Sequence, residues 1–358
     1  MSDPASRRAV SELYAGQGWP VNGDELLHQS LAPRSPGMLL EAPGWLGLGA
    51  GQLVVDAGCR DASHAAALVQ RYSCRVVGVD LVLAGLPKGG AYHAAAATAG
   101  QVSLIQGDLQ TLPMADGTVD LVWCRDTLSC LPDCALALAE CARVLRPGGG
   151  MVLYAVFATE RLEPGDRALL MEGLGNSAAS MHQPTVEAAI AAAGFEIARR
   201  ERIGSEWTEH RPEHDPAYLT QDLLEVARLT RHRDRFQQVL GPVWYRRALA
   251  FDLWRLQIVL GRLVPVLYAL VKGTSPAGRA PVTDLGENGS LGVRARGSGH
   301  RQPSAAQERI RQPPRPADPT DPLPGGLDHL AEGAAGQVGQ LLALEVDHSA
   351  STGLRSGA

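Results

Sequence analysis

One short stretch, residues 52–64, constrains the fold of this chain more than any other. Its apolar run Leu53–Val55 has the length and β-branched content of a buried strand, and Asp56 and Gly58 follow it closely. A helical pattern then begins at Ala62. A strand, a tight turn with an acid and a glycine, and a helix form the first half of a nucleotide-binding βαβ unit. The ligand of such a unit lies beyond the carboxyl end of the strand.

From this stretch onward, strand and helix patterns alternate, which predicts an α/β fold with a Rossmann-like, doubly wound and mostly parallel sheet. Strands are predicted at residues 53–56, 75–80, 102–106, 119–124, 151–157 and 195–203. Helices are predicted at residues 62–72, 91–99, 133–145, 185–193, 216–231 and 236–260. Residues 265–272 are predicted as an antiparallel last strand at the sheet edge, in preference to an extension of the preceding helix. They follow Gly261, begin with a proline and are rich in β-prone residues.

The chain divides into three predicted parts. Residues 1–50 form a helical leader or lid, which includes a short amphipathic helix over residues 6–18. Residues 51–272 form the α/β domain, with a helical insertion at residues 204–263 before the last strand. Residues 273–358 are rich in Pro, Gly and Arg and lack Phe, Trp and Tyr. That tail is predicted to be disordered because it has too little apolar surface to offset its ordering entropy.

Composition excludes several classes of protein. The net charge of −5 gives no electrostatic reason to expect a nucleic-acid partner. No apolar run is long enough for a transmembrane helix, and the first residues lack the apolar core of a secretory signal. The six cysteines contain no CxxC pair. We therefore predict a cytoplasmic protein with reduced thiols and no metal site.

Three acids end the first three apolar strands and would meet at the carboxyl edge of a parallel sheet. A carboxylate at Asp80 can accept both hydroxyls of a ribose, and Asp108 with the backbone of Leu109 can pair with an adenine edge. Asp56 can orient the amino group of a bound amino acid. A pyrophosphate fits less well, because the loop after Gly58 lacks the G-x-G-x-x-G spacing. This disfavours NAD and FAD.

With these residues in place, the chain resembles the class I S-adenosylmethionine-dependent methyltransferases, over about residues 45–205. It is most similar to the group that contains the quinone-biosynthesis and small-molecule methyltransferases. The resemblance is carried by five motifs in the family's order, namely residues 54–59, 77–80, 106–109 with 112–113, 120–125 and 142–149.

The resemblance implies S-adenosylmethionine as cofactor, S-adenosylhomocysteine as product, and methyl transfer to a small, hydrophobic acceptor. It also implies the cofactor-binding residues, which are Asp56, Ala57, Gly58, Arg60, Asp80, Leu81, Gly107, Asp108, Leu109 and Arg125.

The first motif departs from the family in one respect. The usual acid-x-Gly-x-Gly-x-Gly loop has Arg60 and Ala62 in place of its second and third glycines. Three interpretations stay open. The loop has drifted while Gly58 still makes the turn, Arg60 pairs with the methionine carboxylate or with an acid such as Asp61, or cofactor binding is lost.

Methyl transfer is an in-line displacement that depends mainly on orientation, and a base is needed only for a protonated nucleophile. The candidates for contact with the acceptor or for the base are His182, Glu206, His210, Asp126 and Tyr14.

The helical insertion at residues 204–263 has an apolar face that fits either a roof over an acceptor pocket or a homodimer contact. Two alternatives to a methyltransferase remain. One is a non-catalytic cofactor-binding or scaffold protein, and the other is a nucleotide-dependent oxidoreductase.

Overall fold

The computed structural model describes residues 27–82, 100–214 and 217–273, together with Arg8. Its centre is a seven-stranded sheet with the spatial order β3-β2-β1-β4-β5-β7-β6. The strands are β1 Leu53–Ala57, β2 Arg75–Asp80, β3 Val102–Gln106, β4 Val119–Arg125, β5 Leu145–Ala158, β6 Phe195–Arg202 and β7 Leu263–Lys272.

Strands β1 to β5 run parallel, and β7 runs antiparallel to both of its neighbours. The predicted fold class is therefore confirmed. The predicted place of the last strand is wrong, because β7 lies inside the sheet between β5 and β6, and β6 forms the edge. The physical reason is burial on both faces. Residues 263–270 are all buried, which is the pattern of an internal strand.

Helices cover both faces of the sheet. They are α1 Met38–Trp45, α2 Ser63–Tyr72, α3 Cys134–Val144, α4 Pro164–Leu174, α5 Gln183–Ala192, α6 Glu206–His214, α7 Ala217–Arg231 and α8 Arg233–Val259. Alternate residues of β5 enter two buried clusters, because successive side chains of a strand point to opposite faces. Leu153 packs with α3 and α5, whereas Val152 and Tyr154 pack with α1, α2, α4 and α8.

Strands β2 and β3 begin and end at the predicted residues. Three helices were not predicted, namely α1, α4 and α6. Two of them contain an internal proline, Pro43 in α1 and Pro212 in α6. Because proline disfavours the interior of a helix, the sequence does not predict a helix at these positions. The predicted helices at residues 6–18 and 91–99, and the tail from residue 274, lie outside the described residues.

The run Arg146–Gly150 was predicted as a turn before the fifth strand. In the structure β5 already begins at Leu145, which pairs with Val119. Residues 146–149 bulge out of the ladder, and pairing resumes between Gly150 and Leu121. The glycines permit this bulge, and Gly148 has a φ of 73°.

Helices α6, α7 and α8 form the insertion between β6 and β7, which we call the roof. The backbone N–H of Ile203 donates to the carbonyl of Pro265 at 3.0 Å, so the two ends of the roof lie side by side. Helix α8 is kinked at Gly241, where φ is 76°. Within the described residues, no helix is long and apolar enough to cross a membrane.

Candidate functional site

The three predicted acids lie at one edge of the sheet. Asp56 is in β1, Asp80 ends β2, and Asp108 follows β3. The register places Asp56 beside Gly78 and Asp80 beside Gln106, so the carboxyl ends of the three strands are level. The sequence therefore predicted this arrangement correctly.

Asp56 is the most constrained of these acids. Its side chain is only 2% exposed, and Oδ2 has no hydrogen-bond partner among the described residues. Burial, together with the charges of Asp61 and Asp80, raises the pKa of this carboxyl to about 7, although Arg125 and the N–H of Ala65 act in the opposite direction. A cation placed at Oδ2 would stabilise the charged form. The site therefore fits an ammonium group.

The carboxylate of Asp80 is held by two backbone groups. Its Oδ2 accepts from the N–H of Arg60 at 2.8 Å, and its Oδ1 accepts from the N–H of Val82 at 2.9 Å. Each carboxylate oxygen can accept a second hydrogen bond. Asp80 is thus fixed in orientation and still able to bind two neighbouring hydroxyls. The carbonyl of Leu81 accepts from Gln106 Nε2 at 2.9 Å.

Asp108 caps a short 3₁₀ turn, Leu109–Thr111, and its Oδ1 accepts from the N–H of Gln110 at 2.8 Å. Gly107 ties this turn to β2, because its N–H donates to the carbonyl of Asp80 at 3.0 Å. The third motif is therefore held rigidly beside the second.

The loop after β1 keeps the backbone shape of a three-glycine loop. Gly58, Arg60 and Ala62 have φ values of 86°, 46° and 61°, all in the left-handed region. Such a conformation costs about 1–2 kcal/mol per residue for side chains other than glycine. The surrounding strands and α2 therefore impose the loop's shape, although two of the three residues disfavour it. This observation supports drift of the sequence over loss of the site.

Gly58 is also required for packing. A Cβ atom at this position would lie 2.1 Å from Thr127 Oγ1 and 2.5 Å from its Cγ2. The N–H of Gly58 donates to the carbonyl of Val79 at 2.8 Å, so the loop is joined to β2. The role of Thr127 was not predicted, because no local pattern links it to a glycine far away in the chain.

Arg125 ends β4 and lies on the same face of the sheet as Trp123. Its Nη1 is 3.4 Å from His64 Nε2, and the His64 ring lies 5.7 Å from the Trp123 ring. The charge of Arg125 also favours the ionised form of Asp56. Arg125 thus lies in the group of residues that surrounds the first motif.

Asp126 has the surroundings expected of a base. It follows β4 with a φ of 56°, and its Oδ1 is buried without a partner among the described residues. Burial raises the pKa of its carboxyl, opposed by the charge of Arg125. A raised carboxyl pKa is what general base catalysis near neutral pH requires.

The other predicted candidates are less suited to proton transfer. Glu206 forms a two-point ion pair with Arg34, whose hydrogen bonds lower the pKa of Glu206. His182 is exposed at the start of α5, with Nδ1 2.8 Å from Thr185 Oγ1. His210 is half-buried in α6. Tyr14 lies outside the described residues.

A pair of aromatic rings joins the sheet to the roof. Tyr154 of β5 stacks on Trp207 of α6, with ring centroids 5.2 Å apart and an angle of 4° between the planes. The indole Nε1 of Trp207 is buried and has no hydrogen-bond partner among the described residues. Tyr154 pairs in register with Arg125, so this stack adjoins the carboxyl end of β4. No pattern in the sequence predicts a contact between residues so far apart in the chain.

Comparison with known proteins gives matches centred on this sheet. A model described as a methyltransferase domain matches residues 55–153, which include the five motifs except the first residue of the first one. A sterol 24-C-methyltransferase of Eremothecium gossypii is 31% identical over 156 residues, covering 42% of each chain. The tocopherol O-methyltransferase of Arabidopsis thaliana is 28% identical over 116 residues, covering 32% of this chain and 33% of that one.

These matches cover only part of either chain. The aligned stretch spans between 32% and 52% of the length of the first four curated relatives. Among solved structures, the [4+2]-cyclase SpnF is similar with a TM-score of 0.51 and 19% identity, covering 66% of this chain and 81% of that one. At this identity the similarity establishes the fold, and a fold by itself does not determine the reaction.

Proposed function

This chain carries a class I S-adenosylmethionine-dependent methyltransferase domain, and on this premise we propose that it methylates a small, apolar acceptor. One observation carries the proposal. The buried, partly unpartnered carboxylate of Asp56 lies at the same sheet edge as Asp80 and Asp108. A ligand that joins an amino acid to a nucleoside offers one group to each acid. Its ammonium would bind Asp56, its two ribose hydroxyls would bind Asp80, and its adenine would bind beside Asp108.

Each part of the cofactor has a fitting group in this chain. Asp56 would accept from the ammonium through Oδ2, and Asp80 from the two ribose hydroxyls. Asp108 and the N–H of Leu109 would pair with the adenine edge, with Gly107 and Leu81 beside them. Bound there, S-adenosylmethionine supplies an activated methyl group on a sulfonium.

The first-motif loop would receive the methionine carboxylate. Gly58 of this loop, which follows Ala57, lies against Thr127, Arg60 is exposed, and Arg125 is near enough to Asp56 to lower the pKa of its carboxyl. Either guanidinium is suited to a carboxylate because its N–H donors form a planar fork. We favour Arg60 for this role, since its backbone already binds Asp80.

The acceptor would lie between the carboxyl ends of β4 and β5 and the roof. This chain's part in the reaction is to orient the acceptor and exclude water there. The stacked rings of Tyr154 and Trp207 supply a flat apolar wall, and Asp126 would take a proton from a protonated nucleophile. Two of the relatives are named for sterol and tocopherol methylation, and these acceptors are likewise apolar.

The same proposal divides the chain into a leader at residues 1–50, a domain at 51–272 with its insertion at 204–263, and a tail. Arg34 supports a covering role for the leader, because it binds Glu206 of the roof and Glu201 of β6. The insertion would select the acceptor. A homodimer contact through the exposed apolar side chains of the roof is the alternative use of that surface.

Calorimetry on the full chain tests cofactor binding with S-adenosylmethionine, S-adenosylhomocysteine and NAD in turn. We expect both sulfur compounds to bind and NAD not to bind. The substitution Asp80→Ala should weaken binding at least tenfold, or about 1.4 kcal/mol. The matched control Asp116→Ala, an exposed acid before β4, should leave the affinity unchanged. Equal affinities for Asp80→Ala and the native chain would contradict the assignment, and NAD binding would restore the oxidoreductase alternative.

Catalysis is tested separately from binding. Incubation with S-adenosylmethionine and a panel of phenols, quinols and amines should release S-adenosylhomocysteine with at least one of them. Tight cofactor binding with no product from any acceptor would favour the scaffold alternative, which the substitutions at Arg60 and Ala62 motivate.

A further inference from the structure

A cavity of about 440 Å³ lies between the roof and α4, and none of the three acids lines it. Its walls come from the two long roof helices, and the lining side chains are mostly aliphatic, namely Leu219, Leu223, Leu253, Leu256, Val259 and Leu260. Ligand sites in proteins have this size and this apolar character. At about 30 Å³ for each small group, the cavity would hold about 10–15 carbon atoms.

One end of the cavity is polar. Asp166 Oδ2 accepts from Gln257 Nε2 at 2.8 Å and from Arg262 Nη1 at 3.2 Å. Gln257 is only 2% exposed, so this group is held in place. A polar head could exchange hydrogen bonds here while an apolar chain fills the remaining volume.

The polar end faces the sheet. Arg262 directly precedes β7, and its carbonyl accepts from the N–H of Thr159, immediately after β5. β5 is separated from β1 by β4 alone. The polar end therefore adjoins the same carboxyl edge of the sheet as the three acids, three strands away from β1.

The aliphatic wall of the cavity is open to the surface. Leu223, Val259 and Leu260 line the cavity, and they are 55%, 40% and 51% exposed. Exposed aliphatic side chains that also line a cavity give an entry route for a hydrophobic chain, because covering them removes apolar surface from water.

We propose that this cavity binds an alkyl or isoprenoid chain with about 10–15 carbon atoms, with its polar end at Asp166, Gln257 and Arg262. The chain is either the tail of the methyl acceptor, in which case the inference rests on the proposed function, or a free fatty acid. Both sources share one chemistry, a long apolar chain that ends in an oxygen-bearing group.

Binding is measured on the full chain by competition of saturated fatty acids, from hexanoate to hexadecanoate, against a fluorescent polyene fatty acid. Affinity should rise about fourfold for each added methylene until the cavity is full, and then level off. Leu223→Glu at the apolar mouth should weaken binding at least tenfold. Val239→Glu is the matched control, since Val239 is 68% exposed on α8 but does not line the cavity.

A second variant, Leu256→Trp, fills the cavity from within and should also abolish binding while S-adenosylmethionine still binds. Affinity that does not depend on chain length, or an equal loss in both glutamate variants, would overturn the proposal. So would light scattering that shows a dimer dissociated by Leu223→Glu with no change in fatty-acid affinity, since the mouth would then be an interface between copies.

The two sources are distinguished with alkylphenols of increasing chain length as methyl acceptors. If the chain belongs to the acceptor, KM falls with length in the native chain but not in Leu256→Trp. If it is a free fatty acid, KM is independent of length although Leu256→Trp still abolishes fatty-acid binding. Both results keep the cavity as a chain-binding site. A complete absence of methylation, with fatty-acid binding intact, would refute the proposed function alone.

Discussion

The buried carboxyl of Asp56 should reduce the stability of the folded protein and strengthen its binding of the cofactor. Asp56→Asn replaces the carboxylate with a neutral side chain of the same shape. The N–H of Ala65 can still donate to its oxygen, so the fold should be kept. We expect the variant to be more stable than the native chain at pH 8, and to bind S-adenosylmethionine at least tenfold more weakly.

The magnitude follows from the pKa. The unfolded carboxyl has its ordinary pKa of 3.8, and the folded one is raised to about 7, mainly by burial. The contribution of Asp56 to stability is therefore fully present below pH 4 and is lost as the pH rises to about 7. A shift of about three pH units corresponds to about 4 kcal/mol. The new amide N–H₂ of the variant has no partner and costs about 1–2 kcal/mol, which leaves a net gain of about 2–3 kcal/mol at pH 8.

The assay is urea unfolding of both proteins at pH 4, 6 and 8. The unfolding free energy of the variant minus that of the native chain should increase from pH 4 to pH 8 and be largest at pH 8. Asp252, whose pKa burial also raises to about 7, titrates in both proteins and cancels in the difference. Asp234→Asn, at an exposed acid, is the control and should give only a small difference at each pH. A difference for Asp56→Asn that is constant with pH would refute the reasoning.

Three further substitutions test the site's supports. Gly58→Ala should lower the free energy of unfolding by more than about 3 kcal/mol, since its Cβ collides with Thr127 at a left-handed position, and a loss below 1 kcal/mol by urea titration would contradict this. Arg60→Gly should raise the free energy of unfolding by up to about 1 kcal/mol, because the left-handed strain it removes is larger than the entropy that a glycine adds to the unfolded chain. A destabilised variant would show that the guanidinium holds the loop. Arg34→Ala removes a partly exposed ion pair with Glu206, so it should lower the free energy of unfolding by about 1 kcal/mol and speed proteolysis before α1. Arg71→Ala is the control, because its ion pair is longer and more exposed.

Much of the sheet could be predicted from the sequence, because its signals are local. The runs of β2 and β3 are β-branched and end in an acid or a turn, so their limits were predicted to the residue. The internal position of β7 was not predicted, since strand order depends on contacts between residues far apart in the chain. Helices α1 and α6 escaped prediction because Pro43 and Pro212 lie inside them, and packing against the rest of the fold outweighs that local penalty.

The arrangement of the candidate site was predictable where it follows from strand ends, and was not predictable where it depends on backbone shape or on contacts between distant residues. Asp56, Asp80 and Asp108 were found because parallel strands bring their carboxyl ends to one edge. The left-handed backbone at Arg60 and Ala62 could not be read from residues that disfavour it. Nor could the stack of Tyr154 on Trp207 or the ion pair that engages Glu206, because each joins distant parts of the chain.

The hydrogen bond between Ile203 and Pro265 brings the two ends of the roof together on neighbouring strands. Its two ends are held next to each other because β6 and β7 pair, so the roof is a loop that connects two neighbouring strands. Doubling the length of a flexible loop costs only about 0.6 kcal/mol in closure entropy. A roof of another length would therefore change the closure entropy little, and the main requirement on it would be to restore the packing of α8 and Trp207 against β5.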